Sequence, residues 1–140
     1  QISISGPEGA PWVTFSNSLG TDLSMWDPQM VELEKDFRIL RCDKRGHGQS
    51  SVPPGPYDLD DLIMDIVSIW DALEIEKSHL VGISVGSATA LGVVLNHPQR
   101  VDRLAICDAV APARPNTKPA GLNASRSPGK KAWNPWWAII

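Results

Sequence analysis

Gly82-Ile-Ser-Val-Gly86 sets a serine between two glycines at fixed spacing, inside the stretch VGISVGSATAL (residues 81–91). A serine there is a nucleophile if its backbone is bent into a tight strand-to-helix turn, and an ordinary turn residue if it is not. The nucleophile reading gives each neighbour a task. Side chains at Gly82 or Gly86 would collide with the adjoining strand or helix. A helix starting directly behind Ser84 would turn its positive end and free N–H groups toward the oxyanion formed during acyl transfer. The pentapeptide alone matches many unrelated chains. Set in LVGISVGSATAL, between an apolar run and a helical pattern, it predicts a nucleophile elbow.

The other groups able to do chemistry are few. In a serine triad with the chain order Ser, Asp or Glu, His, a base must come within about 3 Å of the serine oxygen. The only histidine after Ser84 is His97, about four helical turns further along the same helix and so roughly 20 Å away. His79 opens a strand and His97 closes a helix before proline, so both read as scaffold. Asp108 ends a strand and is a candidate acid only if no later one exists. Cys42 and Cys107 lie far apart in apolar runs and read as small core residues rather than disulfide partners or metal ligands.

The elements that must position Ser84 follow from periodicity. Trp12–Phe15 (WVTF), Phe37–Asp43 (FRILRCD), Ser78–Ser84 (SHLVGIS) and Val101–Val110 (VDRLAICDAV) are apolar runs of strand length. Between them, Trp26, Met30 and Leu33 recur at helical spacing over Trp26–Lys35. Asp58 can cap a helix with Asp61 three residues later, and Leu59, Leu62, Ile63, Ile66, Val67, Trp70 and Leu73 form its apolar face. A third helix runs from Val85 to Asn96 and stops at His97-Pro98. Strand alternating with helix predicts an α/β fold with a parallel sheet and right-handed crossovers.

Composition narrows the class. The 140 residues are 42% hydrophobic and 21% charged, with a net charge of −3, values ordinary for a globular domain. They point to no nucleic-acid or membrane partner. No basic and apolar leader opens the sequence, and no apolar run approaches the ~20 residues of a membrane span. With the two isolated cysteines, this fits a reducing, cytoplasmic setting. Charge is unevenly spread: residues 1–112 carry 8 Lys+Arg against 16 Asp+Glu, whereas 113–140 carry 5 Lys+Arg and no acid.

With the elbow and this order of elements, the chain resembles the α/β-hydrolase superfamily and, within it, 3-oxoadipate enol-lactonases. The likeness spans roughly Gly6 to Ala111 and rests on GPEGAPWVTFSNSLGTDLSMWDPQ, RILRCDKRGHGQSSVPPGPY, the elbow and HPQRVDRLAICDA. SNSLGTDLSMWD carries most of the narrower resemblance. It implies Ser84 as nucleophile and the backbone N–H groups of Leu19 and Val85 as the oxyanion hole. Many superfamily members have His-Gly where this chain has Asn17-Ser18, which leaves a backbone donor intact. The resemblance assigns Arg45 and His47 to hydrogen bonds that support the oxyanion loop. It implies a small-molecule lactone or ester as substrate, opened through an acyl-enzyme without a cofactor or metal. Another α/β-hydrolase, such as an esterase or a cofactor-free haloperoxidase, shares the same elbow, and a non-catalytic fragment would keep the fold without the chemistry.

After Ala111 the pattern stops. Residues 113–140 hold four prolines, no acid and neither period. The expected organisation is therefore an incomplete α/β-hydrolase core over 1–112, its lid and C-terminal half absent, followed by a disordered or out-of-frame tail over 113–140. The triad acid and histidine are expected beyond these residues, so the chain is expected to be a truncated, inactive form.

Overall fold

The computed structural model describes residues 1–109; the expected boundary at 112/113, Val110 and the tail lie outside the described residues, and the expected Val101–Val110 strand ends earlier, at Cys107, with Asp108 and Ala109 beyond it. Five strands form one sheet: β1 (Ile2–Ser5), β2 (Trp12–Ser16), β3 (Arg38–Cys42), β4 (Ser78–Ile83) and β5 (Val101–Cys107), in the order β1-β3-β2-β4-β5. Pairings β3–β2, β2–β4 and β4–β5 are parallel, as the strand–helix alternation predicts. β1 is a correction to the all-parallel expectation, since it pairs antiparallel with β3, Ile2 opposite Cys42. Its Ile-Ser-Ile-Ser alternates apolar and polar residues, but over only four positions, and such a pattern does not say which strand it pairs with. Its place is set by the free edge of β3 and the short Gly6–Pro11 connection to β2.

Three helices close the faces. α1 (Asp27–Leu33) follows a 3₁₀ turn over Leu23–Trp26, so the expected helix over 26–35 is shorter and entered through a tighter turn that Asp22 caps. Trp26 and Met30 pack with Val13, Phe15 and Ile39 on one side of the sheet. α2 (Leu59–Ala72) starts at the expected Asp58: Asp61 N–H donates to Asp58 Oδ1 at 3.0 Å and Asp58 N–H to Asp61 Oδ2 at 2.9 Å. Its buried face, Ile63, Ile66 and Trp70, meets Leu40, Cys42 and Leu80 on the other side of the sheet, beside Ala90 and Val93 of α3 (Val85–Asn96).

Of the buried polar side chains, Ser16 Oγ at the end of β2 has no hydrogen-bond partner, but others in the core are paired. Trp70 Nε1 donates to Thr14 Oγ1 at 2.8 Å, and Thr14 Oγ1 lies 2.9 Å from Ser78 Oγ, which ties α2 to adjacent strands. No helix among the described residues is long and apolar enough to cross a membrane.

The strand order fixes where a site can form. From β2 the chain crosses by α1 to β3 on one side, and from β3 it crosses by α2 to β4 on the other side of β2. The order of connection therefore reverses between the parallel strands β2 and β4, the switch point at whose C-terminal strand ends open α/β sheets bind ligands.

Candidate active site

Ser16 at the end of β2 pairs with Gly82 of β4, so the loop after β2 and the turn after β4 leave the sheet side by side. Ser84 occupies that turn with φ 55° and ψ −119°, a left-handed backbone that a residue with a Cβ seldom adopts. The turn is held on both sides. Ser84 N–H donates to Cys107 O of β5 at 3.1 Å, and Ser84 O accepts from Ser87 N–H at 3.0 Å as α3 begins. Ser87, fully buried, donates to Gly82 O or Cys107 O at 2.7 and 2.8 Å and stitches elbow, helix and neighbouring strand together.

The flanking glycines have the steric task expected of them. A Cβ at Gly82 would run into the carbonyl of Gly86, and one at Gly86 into the carbonyls of Ser16 and Asn17. All of these obstacles are backbone, so no rotamer change relieves them. Val85, buried, is the first residue of α3, and its N–H has no acceptor one turn earlier within the helix.

The second strand end supplies the loop Asn17–Thr21. Asn17 is wholly buried and bound on three sides. Its Nδ2 donates to Cys42 O at 2.9 Å, its Oδ1 accepts from Trp26 Nε1 at 2.8 Å, and its carbonyl accepts from Lys44 Nζ at 2.8 Å. Lys44 also donates to Ser18 O at 2.6 Å. Asp43 holds the far end of the loop, its Oδ1 accepting from Leu23 N–H at 2.7 Å while Oδ2 accepts from Gln49 N–H at 2.9 Å. Leu19 itself is 45% exposed and presents its side chain outward.

This corrects one expectation. The side chains of the DKRGHG turn that brace the loop are Asp43 and Lys44, not Arg45 and His47. Arg45 turns to α2, gripping both Asp65 oxygens at 2.8 and 2.7 Å and reaching Asp61 at 3.0 Å, with its guanidinium over Tyr57. His47 Nδ1 lies 3.1 Å from Arg45 O, so its bond stays within the turn. Lys44 and Trp26 were missed as site residues because neither has a periodic signal for such a role: Trp26 looks like part of an apolar helix face, and Lys44 like a solvated charge.

Burial shapes the electrostatics here. It lowers the Lys44 ammonium to a pKa of about 8, against a smaller opposing influence of Cys42, and raises the Cys42 thiol to about 11. Cys42 is thus a neutral core residue, as expected. Cys107 is the exception, exposed on the outermost strand. His79 packs edge-on against Phe37, and His97 caps the far end of α3. Neither comes to Ser84. Asp108 follows β5 in a left-handed conformation, φ 49°. Among the described residues no cluster of three or more His, Cys, Asp or Glu could hold a metal ion. A cavity of about 360 Å³ lies between β3, the turn after it and α2, lined by Cys42, Lys44, Asp65, Ile66 and Thr89 among others. Neither Ser84 nor Leu19 lines it.

Known proteins are similar to this chain in sequence and in fold. The family model of the alpha/beta hydrolase fold matches residues 11–137. A relative named 3-oxoadipate enol-lactonase 1, from Acinetobacter baylyi, is 44% identical over 110 residues, covering 79% of this chain and 41% of the relative. A second, from Caulobacter segnis, is named "Putative carbamate hydrolase RutD" and is 39% identical over 100 residues, covering 70% of this chain and 38% of that protein. The crystal structure of the enol-lactonase from Burkholderia xenovorans LB400 superposes with a TM-score of 0.77 at 43% identity, over 78% of this chain and 43% of that one. The chain thus spans about two fifths of the length of the relatives it matches. By its family match, its strand order and its elbow, the chain belongs to the α/β-hydrolase fold family.

Proposed function

We propose that this chain supplies the nucleophile and oxyanion-hole portion of a serine hydrolase of the 3-oxoadipate enol-lactonase type. Ser84 would attack the lactone carbonyl, and the Leu19 and Val85 N–H groups would hold the oxygen that becomes negative. The ring opens to an acyl-enzyme, which water releases as the open-chain acid. The left-handed backbone of Ser84, held between a strand and the first turn of α3, carries this reading. The loop bearing Leu19 leaves the neighbouring strand end, which adds to it. Identity of 44% to a named enol-lactonase supports the substrate class. The acid and the base would come from the part of the fold beyond the described residues, since among these His79 begins β4, His97 follows the far end of α3 from Ser84, and His47 bonds within its own turn.

A chimera tests the reading directly. Residues 1–111 would replace the matching segment of the Acinetobacter baylyi enol-lactonase. The expected result is hydrolysis of 3-oxoadipate enol-lactone that disappears in Ser84→Ala. A folded chimera without activity, or one whose activity survives that change, would remove Ser84 from its role. The relative named as a carbamate hydrolase favours a second substrate class. Comparing kcat/KM for the carboxylate-bearing lactone, a neutral aryl ester and a carbamate decides among them, with the lactone expected to lead.

A further inference from the structure

The Ser18–Leu19 peptide joins two groups with different partners. Its N–H is the donor assigned above to the oxyanion hole. Its carbonyl oxygen accepts from Lys44 Nζ at 2.6 Å and from Thr21 Oγ1 at 2.9 Å. The same ammonium takes the preceding carbonyl, Asn17 O, at 2.8 Å. Lys44 is only 7% exposed, and among the described residues its hydrogen bonds go to these two carbonyls and to no carboxylate. An ammonium is costly to bury, and for packing alone its stem would serve as well without the charge.

We propose that Lys44 is a positioning residue for oxyanion stabilisation: its ammonium fixes the plane of the Ser18–Leu19 peptide and polarises it, which strengthens the Leu19 N–H as a donor. The inference deepens the functional reading and rests on its assignment of Leu19. The physical basis is that a peptide's C=O and N–H are conjugated. A cation at the oxygen draws density from the nitrogen, and hydrogen bonds in such a chain reinforce one another by ~10–30% each. Two carbonyls on one Nζ also fix the loop's direction, because neither peptide can rotate without losing its bond. Asn17 and Asp43 hold the rest of the loop, but neither touches the Ser18 carbonyl.

The charged and titratable groups around Lys44 are Cys42 on β3, Asp43, Arg45 and His47 in its own turn, Asp65 on α2 and the amino group of Gln1. Arg45 and Asp65 satisfy each other, and Asp43 is occupied by two backbone N–H groups. Burial, which brings Lys44 down to about 8, makes its charge adjustable in a range where the fold can be studied.

The test uses the full 140-residue chain, labelled with ¹³C and ¹⁵N. A carbon-detected spectrum gives one cross-peak joining the Ser18 carbonyl carbon to the Leu19 nitrogen, insensitive to amide exchange. That peak is expected to move with pH, with a midpoint near 8. In Lys44→Met the pH dependence should vanish. In Lys44→Arg the peak should stay near its low-pH position throughout, because the charge and donors are retained. A peak at the same position in the wild type at neutral pH and in Lys44→Met overturns the proposal, and so does a titration near 8 that persists in Lys44→Met. If Lys44→Met does not fold, the wild type and Lys44→Arg still decide. The Ser84-dependence of the chimera is read separately, so a failed functional reading leaves this result interpretable.

Discussion

The ends of β2 and β4 differ sharply from β5, though all three strands are apolar runs of similar length. β2 and β4 are bonded on both edges and covered on both faces; Phe15 and Leu80 are almost wholly buried. β5 is bonded only to β4 among the described residues, and most of it is exposed, as are Leu91 and Leu95 on α3 beside it. Sequence pattern makes a strand, but neighbours make it a core. The elbow and the Asn17–Thr21 loop stand where the sheet is fully enclosed, which allows a residue to be held at φ 55°. The edge strand is less enclosed, yet its Cys107 carbonyl anchors the Ser84 turn and Asp108 just beyond it is also left-handed, at φ 49°.

The largest effect should come from one methyl group at Gly86. Its added carbon would meet only backbone, the carbonyls of Ser16 and Asn17, so Gly86→Ala should destabilise by about 3 kcal/mol or more. Gly92, on the same helix, is the control. There a Cβ would meet side-chain atoms only, Cδ1 and Cγ1 of buried Ile63, so a repacking cost replaces a backbone clash, and a helix-interior alanine regains up to ~1 kcal/mol in propensity. Denaturant midpoints for the two variants should therefore separate widely. Equal midpoints would mean that the close approach of α3 to β2 is not a constraint.

Asn17→Ala should come next. It leaves the indole N–H of Trp26 and the carbonyl of Cys42 buried without partners, a loss of about 2–3 kcal/mol by thermal or chemical unfolding. A change under half of that would show that water replaces the amide, and would weaken the picture of a dry, enclosed loop.

This contrast also explains what the sequence could and could not say. The Asp58 cap, α2 and α3 were legible because short-range signals dictate them: a capping pair, a 3.6-residue face, a proline stop. Gly82 and Gly86 were legible because a tight turn tolerates little else. Lys44 was not, because its role depends on a carbonyl 26 residues away in the chain. For Arg45, partners on α2 rather than in the loop became visible only once the crossover had been drawn in space. For β1 the short Ile-Ser-Ile-Ser alternation was there to read, but its antiparallel partner was not, since that pairing belongs to β3. Local chemistry was readable, while partnership across the sheet was not.

A smaller effect, confined to the enclosed region, is read by pH. Lys44 has its folded pKa lowered from 10.5 to about 8, so in that interval the unfolded chain binds more protons and stability rises with pH. Cys42 has its folded pKa raised from 9.0 to about 11, so across that interval the fold binds more protons and stability falls with pH. Together they predict a gain on the order of 1 kcal/mol between pH 8 and 9, a plateau while the two oppose, and a decline towards 11. Lys44→Met should lose the rise and keep the decline. Denaturant melts at each pH would measure both, and a rise that survives the substitution would assign it to another group.

The least perturbing change should be Leu95→Lys on the outer face of α3. Leu95 is 58% exposed, so little apolar burial is forfeited, and lysine is nearly as good a helix former as leucine. Stability should move by no more than about 0.5 kcal/mol, as for most surface substitutions. Association should respond more than stability does. An exposed apolar residue beside a strand bonded on one side favours contact between chains, and a lysine there disfavours it. The expected outcome is an unchanged unfolding midpoint with less concentration-dependent aggregation by light scattering. A loss approaching that of Asn17→Ala would show that this face is packed after all, and that the two regions are less different than their exposure implies.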